Sequence, residues 1–118
     1  FWIGDLKITP FEVQHGPKTY CYLLESGGVK VGYASDCNGL PDSAIEMLSG
    51  ADLMVLDCLR MREHPTHLTL DESLEYINRI GAKSGLLVHM CHDISHADYL
   101  KMLPENIQPA YDGLEVVL

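Results

Sequence analysis

Basic residues are scarce in this chain, eight Lys and Arg against seventeen Asp and Glu, for a formal charge of −9. That balance excludes passive binding to a nucleic-acid backbone or an anionic membrane, which needs clustered positive charge. A phosphate-bearing substrate would have to be held by local charge, and metal ions are the obvious source. Long hydrophobic runs are also missing. Nothing approaches the roughly 20 apolar residues that span a bilayer, and Phe1-Trp2-Ile3-Gly4-Asp5 offers neither a basic leader nor an initiating Met. The expectation is a soluble, cytoplasmic chain whose first residue is an internal cut. Cysteine is limited to Cys21, Cys37, Cys58 and Cys91, with no C-x-x-C pair and no compact framework. They are expected as free thiols, buried or near a site, in a reducing compartment; Cys37 and Cys91 closely follow candidate ligands and could support them. Repeats, low-complexity tracts and linker compositions are absent. With 47% hydrophobic and 21% charged residues over 118 positions, one ordered domain covering residues 1–118 is expected.

What is present is a β-rich first half and an alternating second half. Leu6–Val13 alternates as a strand, with a bulge or edge expected at Pro10. Thr19–Glu25 and Val29–Ala34, rich in aromatic and β-branched residues and separated by Ser26-Gly27-Gly28, form a hairpin. Pro41-Asp42 opens a helix with an apolar face at Ala44, Ile45, Met47 and Leu48, stopped by Gly50. Leu53–Leu56 is an all-apolar buried strand, and Arg60–Thr69 a polar loop. Asp71 is expected to cap a helix ending at Gly81; Leu86–Val88 is another buried strand, and His96–Leu103 a short helix closed by Pro104. Final strands are expected at 109–111 and 114–117, around Asp112-Gly113. The order β-β-β-α-β-α-β-α-β predicts an α/β layered fold.

Three stretches place a metal-ligating residue just past an apolar β-like run. They are Val13-Gln14-His15-Gly16, Tyr33-Ala34-Ser35-Asp36-Cys37 and Leu87-Val88-His89-Met90-Cys91-His92-Asp93. A residue there sits on the rim of a sheet, so rims distant in sequence can converge on one ion. Taken singly, each has a plainer reading: Asp36 as a turn former before Asn38-Gly39, His15 as an exposed loop residue, His89 as a satisfied core imidazole. Taken together, imidazole and carboxylate at three strand ends form a set that Zn²⁺ or Mn²⁺ prefers. His64 and His96 are read as solvent-facing.

The run Ile8-Thr9-Pro10-Phe11-Glu12-Val13-Gln14-His15, followed by Cys21–Glu25, resembles the middle of a metallo-β-lactamase superfamily hydrolase. The match continues through Ser35-Asp36, Leu56-Asp57-Cys58, His67-Leu68, His89 to His92 and Asp112-Gly113-Leu114-Glu115, nearly the whole chain. It is nearest to the branch of the phosphoribosyl cyclic phosphodiesterase of phosphonate metabolism, with ribonuclease Z more distant. The resemblance implies the C-terminal half of an αββα sandwich, with a mixed sheet and helices on one face. It also implies two divalent ions, zinc or manganese. His15 would ligate the first, Asp36 would bridge both, and His89 would ligate the second. His67 would sit by the substrate phosphate as proton donor or charge stabiliser, and His92 would contact substrate.

One departure matters. The superfamily's His-x-His-x-Asp-His signature has no counterpart anywhere in these 118 residues. The reading is therefore a partial domain. Its intact parent is expected to hydrolyse a small cyclic or nucleotide-like phosphodiester, while the fragment itself binds metal partly or not at all and is weak or inactive. Exposed sheet surface is expected to drive self-association or pairing with the absent half. The rival from another class is a non-catalytic α/β interaction domain whose His and Asp residues only form turns.

Overall fold

The computed structural model describes residues 1–13, 18–58, 68–90 and 95–118. Its strands are β1 (Trp2–Ile3), β2 (Leu6–Val13), β3 (Thr19–Ser26), β4 (Val29–Ala34), β5 (Leu53–Asp57), β6 (Gly85–Val88) and β7 (Ile107–Pro109). Helix α1 (Asp42–Leu48) follows β4, α2 (Leu70–Ile80) follows β5, and α3 (His96–Met102) follows β6. The strands form one mixed seven-stranded sheet in sequence order. From β1 to β4 neighbours run antiparallel, as hairpin connections require; from β4 to β7 they run parallel, each crossover carrying a helix.

Proline sits inside β2 without a bulge. The register with β3 runs unbroken from Lys7↔Glu25 to Val13↔Thr19, through Pro10↔Tyr22. Ile8 exchanges both backbone hydrogen bonds with Phe1, so the even positions of β2 face the β1 side, and Pro10 lies beyond β1's last partner. Its missing N–H is directed away from β3, so the β2–β3 ladder loses no bond. The alternation of β2 is then a plain two-residue period, without the expected bulge.

The two faces of the sheet differ. One buries Phe11, Val13, Cys21, Leu23, Ala34, Met54, Leu56 and Leu87 against Ala44 and Leu48 of α1, Ile77 and Ile80 of α2, and Tyr99 of α3. The other carries only a small cluster of Leu53, Val55 and Leu86, with Val31, Val88 and Leu114 against it and no helical residue. Among the described residues, helices thus cover a single face. On the other, Tyr20, Tyr22 and Tyr33 stand 48%, 40% and 44% exposed. Phe1, Ile8, Tyr22, Leu24 and Tyr33 line an apolar groove of about 300 Å³ there.

Two local expectations are corrected. Helix α2 is capped by Thr69, not Asp71. The Thr69 side chain accepts from the Glu72 N–H at 3.3 Å, and Glu72 Oε1 accepts from the Thr69 N–H at 3.0 Å. That Thr-x-x-Glu box satisfies two otherwise orphaned donors, and it leaves Asp71 in the first turn. At the C-terminus the last strand is Ile107–Pro109, and residues 114–117 join no ladder. Leu114 instead packs on the small uncovered-face cluster, after a turn in which Gly113 takes φ 86°.

Candidate metal centre

Strands β4, β5 and β6 are neighbours, parallel and in register, with Ala34 opposite Leu56, Leu56 opposite Leu87 and Asp57 opposite Val88. Their carboxyl ends lie side by side, and each ends in a group that can hold a cation. Asp36 follows β4 by two residues, Asp57 is the last residue of β5, and His89 is the first residue past β6. In open parallel sheets ligands bind at this end. Ligand atoms of all three residues lie within 4.8 Å of one another.

His89 has the sharpest geometry. Its Nδ1 lies 3.1 Å from the Ser35 carbonyl oxygen, 3.7 Å from Asp36 Oδ1 and 3.9 Å from Asp57 Oδ1. A carbonyl can only accept, so the neutral ring carries its proton on Nδ1 and keeps the Nε2 lone pair for a ligand. The backbone of His89 takes φ 63°, the only positive value outside glycine among the described residues. Histidine tolerates the left-handed region better than most residues, though at some cost, and such outliers gather at functional sites. The turn swings the ring off the end of β6, toward Asp36.

The two carboxylates are placed differently. Asp36 is about half exposed, whereas Asp57 has no exposure at all. Asp57 Oδ2 accepts the buried Cys37 N–H at 2.9 Å, and its carbonyl accepts from the Ser73 hydroxyl on α2. Sequence reasoning recognised Leu56-Asp57-Cys58 as part of a family pattern but gave Asp57 no place in the site. The missed signal was chemical: β5 is buried along its whole length, and a carboxylate ending such a strand needs built-in partners.

Beneath this rim the charge is felt in the core. The Cys21 thiol is pushed up to about 11, first by burial and then by the carboxylates of Asp36 and Asp57. Cys37 is raised in the same way, by burial and then by Asp57. Without a metal, both buried thiols are therefore held in the protonated form near neutrality. The donor set is therefore two carboxylates and an imidazole, which suits Zn²⁺ or Mn²⁺. Of the other residues singled out in the sequence, His15, His64, His67, His92 and Cys91 lie outside the described residues. His96 is exposed at the start of α3 and stacks edge-on with Tyr111, apart from the cluster.

Known proteins share this arrangement of strands. Over its full length the chain is 32% identical to an octanoyltransferase of Porphyromonas gingivalis, of which it spans 24%. It superposes along its whole length on a diphosphatase from the PhnP family with a TM-score of 0.91 and 35% identity, covering 46% of that protein. It also matches the fold of zinc-bound PqqB from Methylobacterium extorquens, with a TM-score of 0.79, 17% identity, and coverage of 98% of this chain and 52% of that one. The chain thus spans about half or less of the length of these proteins. The model of the beta-lactamase superfamily domain matches residues 1–90, which include β1 to β6 and both Asp36 and His89. On that match, and on the sheet that carries it, the chain belongs to the beta-lactamase superfamily, as a metallo-β-lactamase-fold domain.

Proposed function

We propose that this chain supplies one side of a two-metal hydrolytic centre that cleaves a phosphoester bond, with Asp36 shared between two cations and His89 a ligand of the second. The observation that carries the reading is the convergence of Asp36, Asp57 and His89 within 4.8 Å at the carboxyl ends of three adjacent parallel strands. The likeness to a PhnP-family diphosphatase supports a phosphorus-centred substrate. A small cyclic or nucleotide-like phosphodiester fits the reading best. His15 completes the ligand set on this chain, and a His-x-His-x-Asp-His half completes it for the whole protein.

When bound, the divalent cations would supply positive charge against the phosphoryl oxygens and activate water as the nucleophile. The chain's own residues hold and orient. Asp36 presents its carboxylate at the rim, and the Ser35 carbonyl, 3.1 Å from Nδ1, orients the His89 ring and leaves Nε2 as the donor of electrons. His67 protonates the leaving oxygen or steadies the phosphate, and His92 contacts the substrate. With a charge of −9, the chain contributes no general attraction for a phosphate, so the substrate is held locally.

A second reading rests on the octanoyltransferase, whose likeness runs along the entire chain while occupying a quarter of that protein. There the same site would handle an octanoyl ester or thioester. The three cysteines described, Cys21, Cys37 and Cys58, are all buried, which supports a reducing, cytoplasmic setting for either reading. No helix among the described residues is long and apolar enough to cross a membrane.

The test is a hydrolysis panel with Zn²⁺ or Mn²⁺, offering a generic phosphodiester, a diphosphate ester and an octanoyl thioester. It is run on the chain alone and on the chain joined to a His-x-His-x-Asp-His half. Phosphoester turnover that is low in the chain, restored in the joined protein and abolished by Asp36→Ala supports the proposal. Preference for the thioester replaces it with the second reading, and comparable turnover by the chain alone contradicts the ligand shortfall.

A further inference from the structure

Asp57 is the one carboxylate with no solvent exposure among the described residues, and it ends a strand, Leu53–Asp57, buried at every position. Ionised side chains persist in such places only when their oxygens are engaged, because isolated burial costs several kcal/mol. The partners of Asp57 are distributed in a telling way. Oδ2 takes the N–H of Cys37, the peptide immediately following Asp36, at 2.9 Å. Oδ1 faces His89 Nδ1 at 3.9 Å. The carbonyl of Asp57 receives the Ser73 hydroxyl from α2, and the next amide, Cys58 N–H, donates to Val88 O at 3.0 Å, one residue before His89. One residue thus fixes the loop that carries Asp36, the helix behind it and the strand end that delivers His89.

We infer that Asp57 is a positioning residue of the metal centre: its buried carboxylate clamps the Asp36–Cys37 peptide with one oxygen and faces the His89 ring with the other, setting the two ligands in register. This rests on the proposal that Asp36 and His89 hold a cation. Asp57 itself has no exposed surface, and its effect passes through its two neighbours. Removing the charge while keeping the shape separates these roles. In Asp57→Asn the amide oxygen can still accept from the Cys37 N–H, but its NH₂ group must then turn toward His89. An NH₂ facing a protonated Nδ1 sets donor against donor, so the preference for the Nδ1–H tautomer weakens to what the Ser35 carbonyl and Asp36 still hold.

The experiment uses the metal-free chain first. Nitrogen-15 spectra of the histidine side chains should show His89 as the Nδ1–H tautomer in the wild type and as a mixture in Asp57→Asn, with the Cys37 amide resonance nearly unmoved. Titration with Zn²⁺ alone should then show affinity ten- to a hundredfold weaker in the variant, the usual cost of losing a group that orients a ligand. Should Asp57→Asn not fold, the wild type still decides. The Cys37 amide must be protected from hydrogen exchange and must show a scalar coupling through its hydrogen bond to the Asp57 carboxylate carbon. An unchanged tautomer with zinc affinity within twofold of wild type would overturn the inference, as would an exchanging Cys37 amide with no coupling. Loss of saturable zinc binding as complete as in Asp36→Ala would also overturn it, by making Asp57 a direct ligand. If the wild type bound no zinc, the cation reading would fail, whereas the metal-free spectra would still judge the clamp.

Discussion

Substituting Gly32 by alanine tests how tightly the sheet and its helical layer position the site. Gly32 lies in β4, four residues before Asp36, on the face covered by α1. A Cβ built there clashes with Met54 Sδ and lies 2.7 Å from Leu48 Cδ2, against ordinary contacts of roughly 3.5–4.0 Å. Both neighbours end in flexible groups that could retreat in a loose core. Here Met54 and Leu48 are each 0% exposed, so each must move by about 1 Å into occupied space. Overpacking of this kind costs about 1–3 kcal/mol, partly offset by about 0.5–1 kcal/mol because alanine loses less backbone entropy than glycine in a strand. The expected net loss is about 1–2 kcal/mol, a fall of roughly 0.5–1 M in the urea midpoint for a domain of this size. Circular dichroism across a urea series measures it. The contact is specific, so a double-mutant cycle should show it: Met54→Ala alone opens a cavity, and the added methyl at position 32 fills part of it. The two substitutions should then couple by at least ~1 kcal/mol. A Gly32→Ala chain as stable as wild type, or additive effects in the cycle, would refute the packing argument.

Other expectations concern different parts of the molecule. Thr69→Ala removes the hydroxyl that accepts from the Glu72 N–H, while the backbone N–H of residue 69 can still donate to Glu72; it should lower stability by about 1 kcal/mol in the same urea assay, whereas Asp71→Ala should cost much less. Because burial raises the Cys21 thiol from 9.0 to about 11, its contribution to stability is fully present below pH 9 and lost as pH rises toward 11. Thermal melts should show that alkaline loss diminished in Cys21→Ala, and a thiol reagent at pH 8 should label native Cys21 only slowly. The uncovered sheet face is proposed to bring copies of the chain together in the absence of another cover. Tyr22, Leu24 and Tyr33 would lie at the contact, because screening limits repulsion to about 8–10 Å while buried apolar area contributes roughly 25 cal/mol per Å². Light scattering over a dilution series should show a dimer weakened by Tyr33→Lys, and a clean monomer at high micromolar concentration would contradict it.

Which parts of this were legible in the sequence follows from where the information is local. Buried strands such as Leu53–Leu56 and Leu86–Val88 were readable because apolar runs bounded by Gly, Asp and Ser leave few alternatives. The α2 cap was misplaced because both Thr69 and Asp71 are good capping residues, and only Glu72 three places after Thr69 decides between them. Residues 114–117 have the composition of a strand but join no ladder among the described residues, and the place beside β6 is taken by the shorter Ile107–Pro109. At the site, Asp36 and His89 were visible because each interrupts the end of an apolar run. Asp57 was overlooked because its importance lies in what it touches across the sheet, a Cys37 amide 20 positions away. Likewise, no local pattern announces the left-handed backbone of His89, which depends on how β6 ends against Ser35.

The central claim is that the ends of β4 and β6 form a cation site through Asp36 and His89. Calorimetric titration of the metal-free chain with Zn²⁺, alongside Asp36→Ala and His89→Ala, tests it most directly. The account predicts weak but saturable binding of one ion per chain, abolished by either substitution while circular dichroism stays native. Absence of saturable binding in the wild type, or equal affinity in all three proteins, would contradict it.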